Sequence, residues 1–237
     1  MRWLLAVVAA VPLAAPADDM VGQLGTRTAL VALHAFEQPD GSARVTGEYI
    51  VLRTLQRRFL EGERSPQLGL TTLKEGTTPI LFGHSSTGEL RGTWRGTAFK
   101  GMRHGPGGQE RERFDFTAEF PPMEDYSATV HCQAPADPRY SASLGYTVEN
   151  GSIKVFEWRS SVQSGGHACE LAHLQQQPFK GGLRLASGDC EVTLRDLGDA
   201  VMVAAQGCRA QCGSGAYLEP VLVERRGSCR LLRPEVR

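Results

Sequence analysis

Turn signals punctuate this chain roughly every 8 to 15 residues, and the runs between them favour extended backbone over helical periodicity. Gln38-Pro39-Asp40-Gly41, Thr87-Gly88, residues 105–108, Asn150-Gly151, Ser187-Gly188, Leu197-Gly198 and Gly227-Ser228 all carry the side chains of tight reversals. Reversals this close together mean a meander. In residues 113–120, Phe114, Phe116, Ala118 and Phe120 fall on one face and Arg113, Asp115, Thr117 and Glu119 on the other. That alternation belongs to a half-buried antiparallel strand. Residues 28–34 and 44–52 read as a hairpin about Pro39-Asp40-Gly41. Further strands fit residues 68–74, 80–82, 89–94 and 99–103, then 153–158, 169–174, 182–185, 190–195, 200–205 and 217–224. The expected fold class is all-β: an N-terminal antiparallel meander sheet or barrel, then a C-terminal disulfide-stapled β domain.

The six cysteines, Cys132, Cys169, Cys190, Cys208, Cys212 and Cys229, all lie after residue 131. The first half must therefore fold on its apolar core alone, and this asymmetry predicts two domains, 18–131 and 132–237. A proline-rich stretch between residues 121 and 139 marks the expected boundary. Residues 1–17 have the layout of a cleavable signal peptide: Arg2, an apolar run over residues 4–13 broken by Pro12, and the small-residue site Ala15-Pro16-Ala17. The run is too short to span a bilayer, which takes about 20 apolar residues. Export to the periplasm or beyond makes disulfides the default state of an even cysteine count, although sequence does not choose the pairing. Cys190 shares an apolar face with Val192 and Leu194, which favours a structural bridge over a reactive thiol.

Lys and Arg number 26, as do Asp and Glu, so the chain has no net charge to attract nucleic acid. Arg57-Arg58 and residues 111–113 are locally basic, but Glu61, Glu63, Glu110 and Glu112 dilute them, and they read as solvated faces. No catalytic signature is complete. Gly83-His84-Ser85-Ser86-Thr87 lacks the last glycine of a nucleophile elbow and its strand-to-helix context. Cys208 and Cys212, with Cys190 and Cys229, could form a four-thiolate zinc site, which an oxidising compartment disfavours against two bridges. His167 and His173 flank Cys169, a residue better read as core or bridge. The carboxylates at 110, 112, 124 and 125 sit on turns, without the cleft that glycoside chemistry needs. Asn150-Gly151-Ser152 is a formal glycosylation sequon, and Asn-Gly is fully explained as a hairpin turn.

The stretch that best suits a function is Cys208-Arg-Ala-Gln-Cys-Gly-Ser-Gly-Ala-Tyr217. Two cysteines four apart pin the backbone, and Gly213, Ser214 and Gly215 leave it free of bulk before an aromatic. Little entropy would remain to be lost on binding. The competing reading is a disulfide-closed turn with Tyr217 opening a core strand. Ser214-Gly215-Ala216-Tyr217 resembles the Ser-Gly loop that bacterial periplasmic lysozyme inhibitors push into the active-site cleft of lysozyme. The resemblance covers about ten residues, with one fewer between Gly215 and Tyr217 than in the family. It implies a non-enzymatic protein without a cofactor, whose partner is a lysozyme-type peptidoglycan hydrolase. By that likeness Ser214 reaches a catalytic carboxylate with Gly215 beside it, Tyr217 fills an adjacent subsite, and Arg209 adds a contact. The cysteine pattern also resembles uncharacterised exported β-rich bacterial proteins, which implies fold and compartment only. A barrel holding a lipid or cell-wall fragment is the second expectation, and a cell-wall hydrolase the third.

Overall fold

The computed structural model describes residues 18–79, 86–137, 140–162, 167–213 and 218–232. The expected signal peptide, residues 1–17, and the strand expected at 80–82 lie outside them. The chain divides into two compact units, Met1–Ile50 with Arg57–Ala118, and Val51–Gln56 with Glu119–Arg237. The division precedes the boundary expected at 131/132, because a single strand, β9 (Ala128–Asp137), runs across that position.

The first unit is a closed, eight-stranded antiparallel barrel in sequence order: β1 (Asp18–Leu24), β2 (Arg27–Glu37), β3 (Ala43–Val51), β4 (Gln56–Arg64), β5 (Leu70–Gly76), β6 (Gly88–Arg95), β7 (Ala98–His104) and β8 (Arg111–Thr117). Strand β1 pairs with both β2 and β8, and that leaves no edge open to another chain. The expected alternation holds where it was clearest, with Phe114 and Phe116 fully buried on one face of β8. The Phe114 ring stacks on Phe116 at 5.2 Å and tilts against Phe99 at 4.7 Å, contacts that contribute about 0.5–1.5 kcal/mol each beyond area burial. Met20, Leu24, Val31, Leu33, Val45, Leu73 and Leu90 fill the space around them. Closure of so small a barrel needs sharply coiled strands, and glycine permits it. A Cβ at Gly62 would sit 1.9 Å from the Thr72 carbonyl oxygen, and one at Gly22 would sit 1.9 Å from that of Asp115.

Phe120 departs from the expected pattern. Strand β8 ends at Thr117, and the Phe120 ring instead lies under the Arg195 guanidinium at 4.6 Å in the second unit. The period of two in the sequence continues past the point where the chain leaves the barrel.

The second unit contains two antiparallel sheets. One has the order β12-β11-β10-β9, with β10 (Tyr140–Glu149), β11 (Ser152–Val162) and β12 (His167–Leu171). The other runs β13 (Gln175–Gln177), β14 (Leu183–Ser187), β15 (Cys190–Asp196), β16 (Ala200–Gln206), β17 (Val221–Glu224) and β18 (Cys229–Leu231) in sequence order. Leu144, Tyr146, Phe156, Trp158 and Leu171 from the first share one core with Leu185, Val192, Leu194, Val203 and Val221 from the second. The sheets therefore pack face to face as a sandwich. Asn150 and Gly151 join β10 to β11 with φ of 45° and 69°, the left-handed pair that a two-residue hairpin demands.

Candidate functional site

All six cysteines are bridged: Cys132 to Cys229, Cys169 to Cys212, and Cys190 to Cys208. The first bridge links strand β9 of one sheet to β18 of the other. The other two converge on a single helical turn, α1 (Arg209–Cys212). Cys208, just before the turn, is tied to β15, while Cys212, at its end, is tied to β12 of the opposite sheet. Bonds from the Cys212 and Gly213 amides to the carbonyls of Cys208 and Arg209, both 2.9 Å, close the turn. Gln211 donates from Nε2 to the Ser187 carbonyl at 2.9 Å, adding a tether to the β14–β15 hairpin.

The chain leaves this anchor at Gly213, whose φ of 77° ends the turn and around which a Cβ would meet nothing within 4 Å. It is held again at Leu218, which packs against the sandwich core, and at Glu219, whose amide donates to the Tyr140 hydroxyl at 2.9 Å. Ser214, Gly215 and Tyr217 lie between these fixed points and outside the described residues. Arg209 opens α1 with its side chain exposed. The strand expected at 217–224 is shorter, β17, with Leu218 to Pro220 leading into it.

With every cysteine oxidised, the four-thiolate zinc site and the Cys169 nucleophile have no thiolate to build on. Among the described residues no group of three or more His, Cys, Asp or Glu is placed to hold a metal ion. Residues 83–85 of the elbow-like segment lie outside the described residues. Its last two residues do something local: Ser86 Oγ donates to the Glu75 and Gly88 carbonyls, and Thr87 Oγ1 donates to the Glu75 carboxylate at 3.1 Å.

That carboxylate is the centre of an ionic cluster which sequence reasoning missed. Glu75 is fully buried on the inner face of the barrel. Its Oε2 accepts from Arg103 Nε at 2.7 Å and the Tyr49 hydroxyl at 2.8 Å, and its Oε1 from Arg103 Nη2 at 3.0 Å. Arg58 Nε lies 3.4 Å from Oε1. Arg103 continues to Glu112 at 3.4 Å, which is itself paired with Arg27 at 2.7 Å. Arg58 and Glu112, expected on solvated faces, are thus internal partners; Arg57 alone of that basic pair turns outward, to Glu48 at 2.8 Å. Burial pushes the Glu75 carboxyl up, but hydrogen bonds from Arg103, Tyr49 and Thr87 and the Arg103 charge outweigh it and hold Glu75 below the usual carboxylate range. Burial and the neighbouring Glu75 charge push the Tyr49 hydroxyl well up. A carboxylate with both oxygens engaged and its proton kept off is neither a general acid nor an available base. The cluster ties β3, β4, β5, β7 and β8 together on the inner face.

Among the described residues no helix is long and apolar enough to cross a membrane, and three disulfides suit an oxidising compartment. Set against protein families, curated proteins and solved structures, the chain finds no match in any of the three.

Proposed function

We propose that this chain is an exported, periplasmic binding protein that inhibits a lysozyme-type peptidoglycan hydrolase, with residues 214–217 as the inserted segment. The observation that carries the reading is the double anchoring of α1. Cys208 and Cys212 are bridged to opposite sheets of the sandwich, and Leu218 and Glu219 hold the far end. Fixing the flanks of a segment lowers the cost of ordering it on binding, where each unrestrained side chain costs about 0.5–1.5 kcal/mol. In the proposed complex the Ser214 hydroxyl donates to a catalytic carboxylate, Gly215 allows close approach, Tyr217 fills a neighbouring subsite and Arg209 faces acidic groups at the rim. The barrel-ligand reading stands second, since the described interior positions are occupied by Phe99, Phe114, Phe116 and their aliphatic neighbours.

The test is inhibition of several lysozyme classes by purified mature chain. Inhibition at micromolar concentration is expected, weakened about tenfold or more by Ser214→Ala and by Tyr217→Ala, a loss of about 1.4 kcal/mol each. Full activity of every lysozyme at micromolar excess ends the proposal. Inhibition that survives both substitutions removes this segment from the contact.

A further inference from the structure

Strand β10 sends Tyr140, Ala142, Leu144, Tyr146 and Val148 into the sandwich. Its other face carries Ser141, Ser143, Gly145 and Thr147, with the exposed Glu149 at the end of the strand. The neighbouring strands bear longer polar groups on that same outer face: His131 and Gln133 on β9, Glu157 and Arg159 on β11, and Glu170 on β12. Strands lie about 4.8 Å apart, so a floor of small side chains between taller flanks makes a trough about two strand spacings wide. A cavity of ≈ 930 Å³ occupies it, lined by Gln133, Ser141, Ser143, Arg159, Ser161 and Glu170 among others. A second cavity of ≈ 350 Å³ shares Gln133, Ser143 and Arg159 and extends the trough past Gly145 to His131 and Glu157. The larger is at the upper end of the roughly 300–1,000 Å³ typical of ligand pockets.

The trough is short of partners. The half-buried hydroxyls of Ser141, Ser143 and Ser161 and the amide of Gln133 bond to nothing among the described residues. Each can both donate and accept. Two carboxylates share one guanidinium, which engages both against an incoming cation: Arg159 donates to Glu170 at 2.9 Å and lies 3.9 Å from Glu157. One guanidinium between two carboxylates repels a phosphate or nucleic acid. Beyond Val155, which lies beside Thr147 at one end, no large apolar side chain among the described residues stands on this face, so a lipid tail or apolar peptide anchor would gain little by entering it. Because it crosses the middle of a sheet whose backbone groups are already paired, strand addition is also closed to it. The chemistry left is that of an uncharged chain dense in hydroxyls.

We infer that the outer face of strands β9 to β12 is a binding trough for a neutral oligosaccharide, which the serine hydroxyls and Gln133 hydrogen-bond and the Arg159–Glu170 pair flanks. The inference goes beyond the proposed inhibitor role and does not depend on it.

The test uses the full mature chain on an array of neutral and acidic oligosaccharides, followed by titration of the best ligand by NMR and calorimetry. A neutral oligosaccharide is expected to bind at millimolar concentration or below, shifting the amides of Ser141, Ser143 and Ser161. Ser143→Trp fills the floor and should weaken binding at least tenfold, and Gln133→Ala, a milder change at the sheet edge, about fivefold. Circular dichroism checks that both variants fold, and unchanged lysozyme inhibition by both separates this site from residues 214–217. Silence of every neutral oligosaccharide at about ten times the millimolar range overturns the inference. So does preference for acidic ones, or binding that survives both substitutions.

Discussion

Replacing Glu75 with glutamine is expected to destabilise the barrel by about 3–5 kcal/mol, the cost of leaving a buried charge without its counter-ion. Glutamine keeps the shape of the side chain but presents one acceptor where the site supplies donors on both sides. Arg103 Nε and the Tyr49 hydroxyl point at one oxygen, and Arg103 Nη2 and Thr87 Oγ1 at the other. Whichever way the amide turns, its NH₂ faces two donors. The guanidinium of Arg103 is then left with only Glu112, shared with Arg27, and Arg58 loses its carboxylate. Expressed from residue 18 onward, the protein has two tryptophans, Trp94 on β6 and Trp158 in the sandwich core. A Trp158→Phe background lets Trp94 fluorescence follow the barrel alone in urea. With a slope of about 1.5 kcal/mol per molar, the midpoint should fall by about 2 to 3 M. The pH dependence has a fixed sign. Glu75 is held below its ordinary value, so its contribution is complete above the unfolded carboxylate pKa of about 4.3 and is lost as pH falls through the folded value. The gap between the parent and Glu75→Gln should therefore narrow in acid. A loss below about 1 kcal/mol at neutral pH, or a gap that stays constant in acid, refutes the argument.

Removing Cys132–Cys229 should cost the sandwich more than removing Cys190–Cys208. The first closes 97 residues and the second 18, or about 4.7 against about 3.2 kcal/mol in chain entropy, and Trp158 fluorescence in paired Cys→Ser variants reads the difference. Equal losses would mean the bridges do not act through loop closure. Gly62→Ala drives a Cβ against the Thr72 carbonyl oxygen and should cost about 1–3 kcal/mol by the Trp94 readout, whereas Gly96→Ala, with nothing within 4 Å but a φ of 53°, should cost less.

The all-β class, the hairpin at Pro39-Asp40-Gly41 and the C-terminal staples were legible because each rests on a local rule. Asp40 shows why: its carboxylate accepts from the Ser42 amide at 2.9 Å, and the Gly41 amide donates to the Gln38 carbonyl at 2.9 Å, so the turn is closed by residues no more than four apart. The pairing of the cysteines was not legible. Cys208 and Cys212 are four residues apart yet bridge to different sheets, a choice made by how the sandwich closes. Strand β4, Gln-Arg-Arg-Phe-Leu-Glu-Gly-Glu-Arg, hid for a related reason. Its alternation is masked by arginines on both faces, which pattern rules assign to water.

Arg58, Glu75, Arg103 and Glu112 share that disguise, and they show where reading by period stops. In Leu73-Lys74-Glu75 the alternation puts Glu75 on the face of Leu73, toward the core, but a single charged residue near a strand end is ordinarily discounted as a boundary. The four charges come from β4, β5, β7 and β8 and meet on the inner face, and Arg27 of β2 reaches Glu112 across the seam where β1 pairs with β8. The arrangement is then self-consistent: three arginines face two glutamates, and a tyrosine hydroxyl and a threonine complete the coordination of Glu75. Glu75 buried alone would be strongly unfavourable, whereas Arg103, Arg58, Tyr49 and Thr87 around it offset that cost, and the partly exposed Glu112 and Arg27 continue the chain of charges. The cluster's expected role is to favour the register that brings these groups together, since any other leaves Glu75 buried without its partners. An inward pair of charges reversed as Glu75→Arg with Arg103→Glu should accordingly recover only part of what either single reversal loses, since an arginine at 75 would face Arg58 and a glutamate at 103 would face Glu112, and no recovery at all would show that pairing between positions 75 and 103 does not set the register.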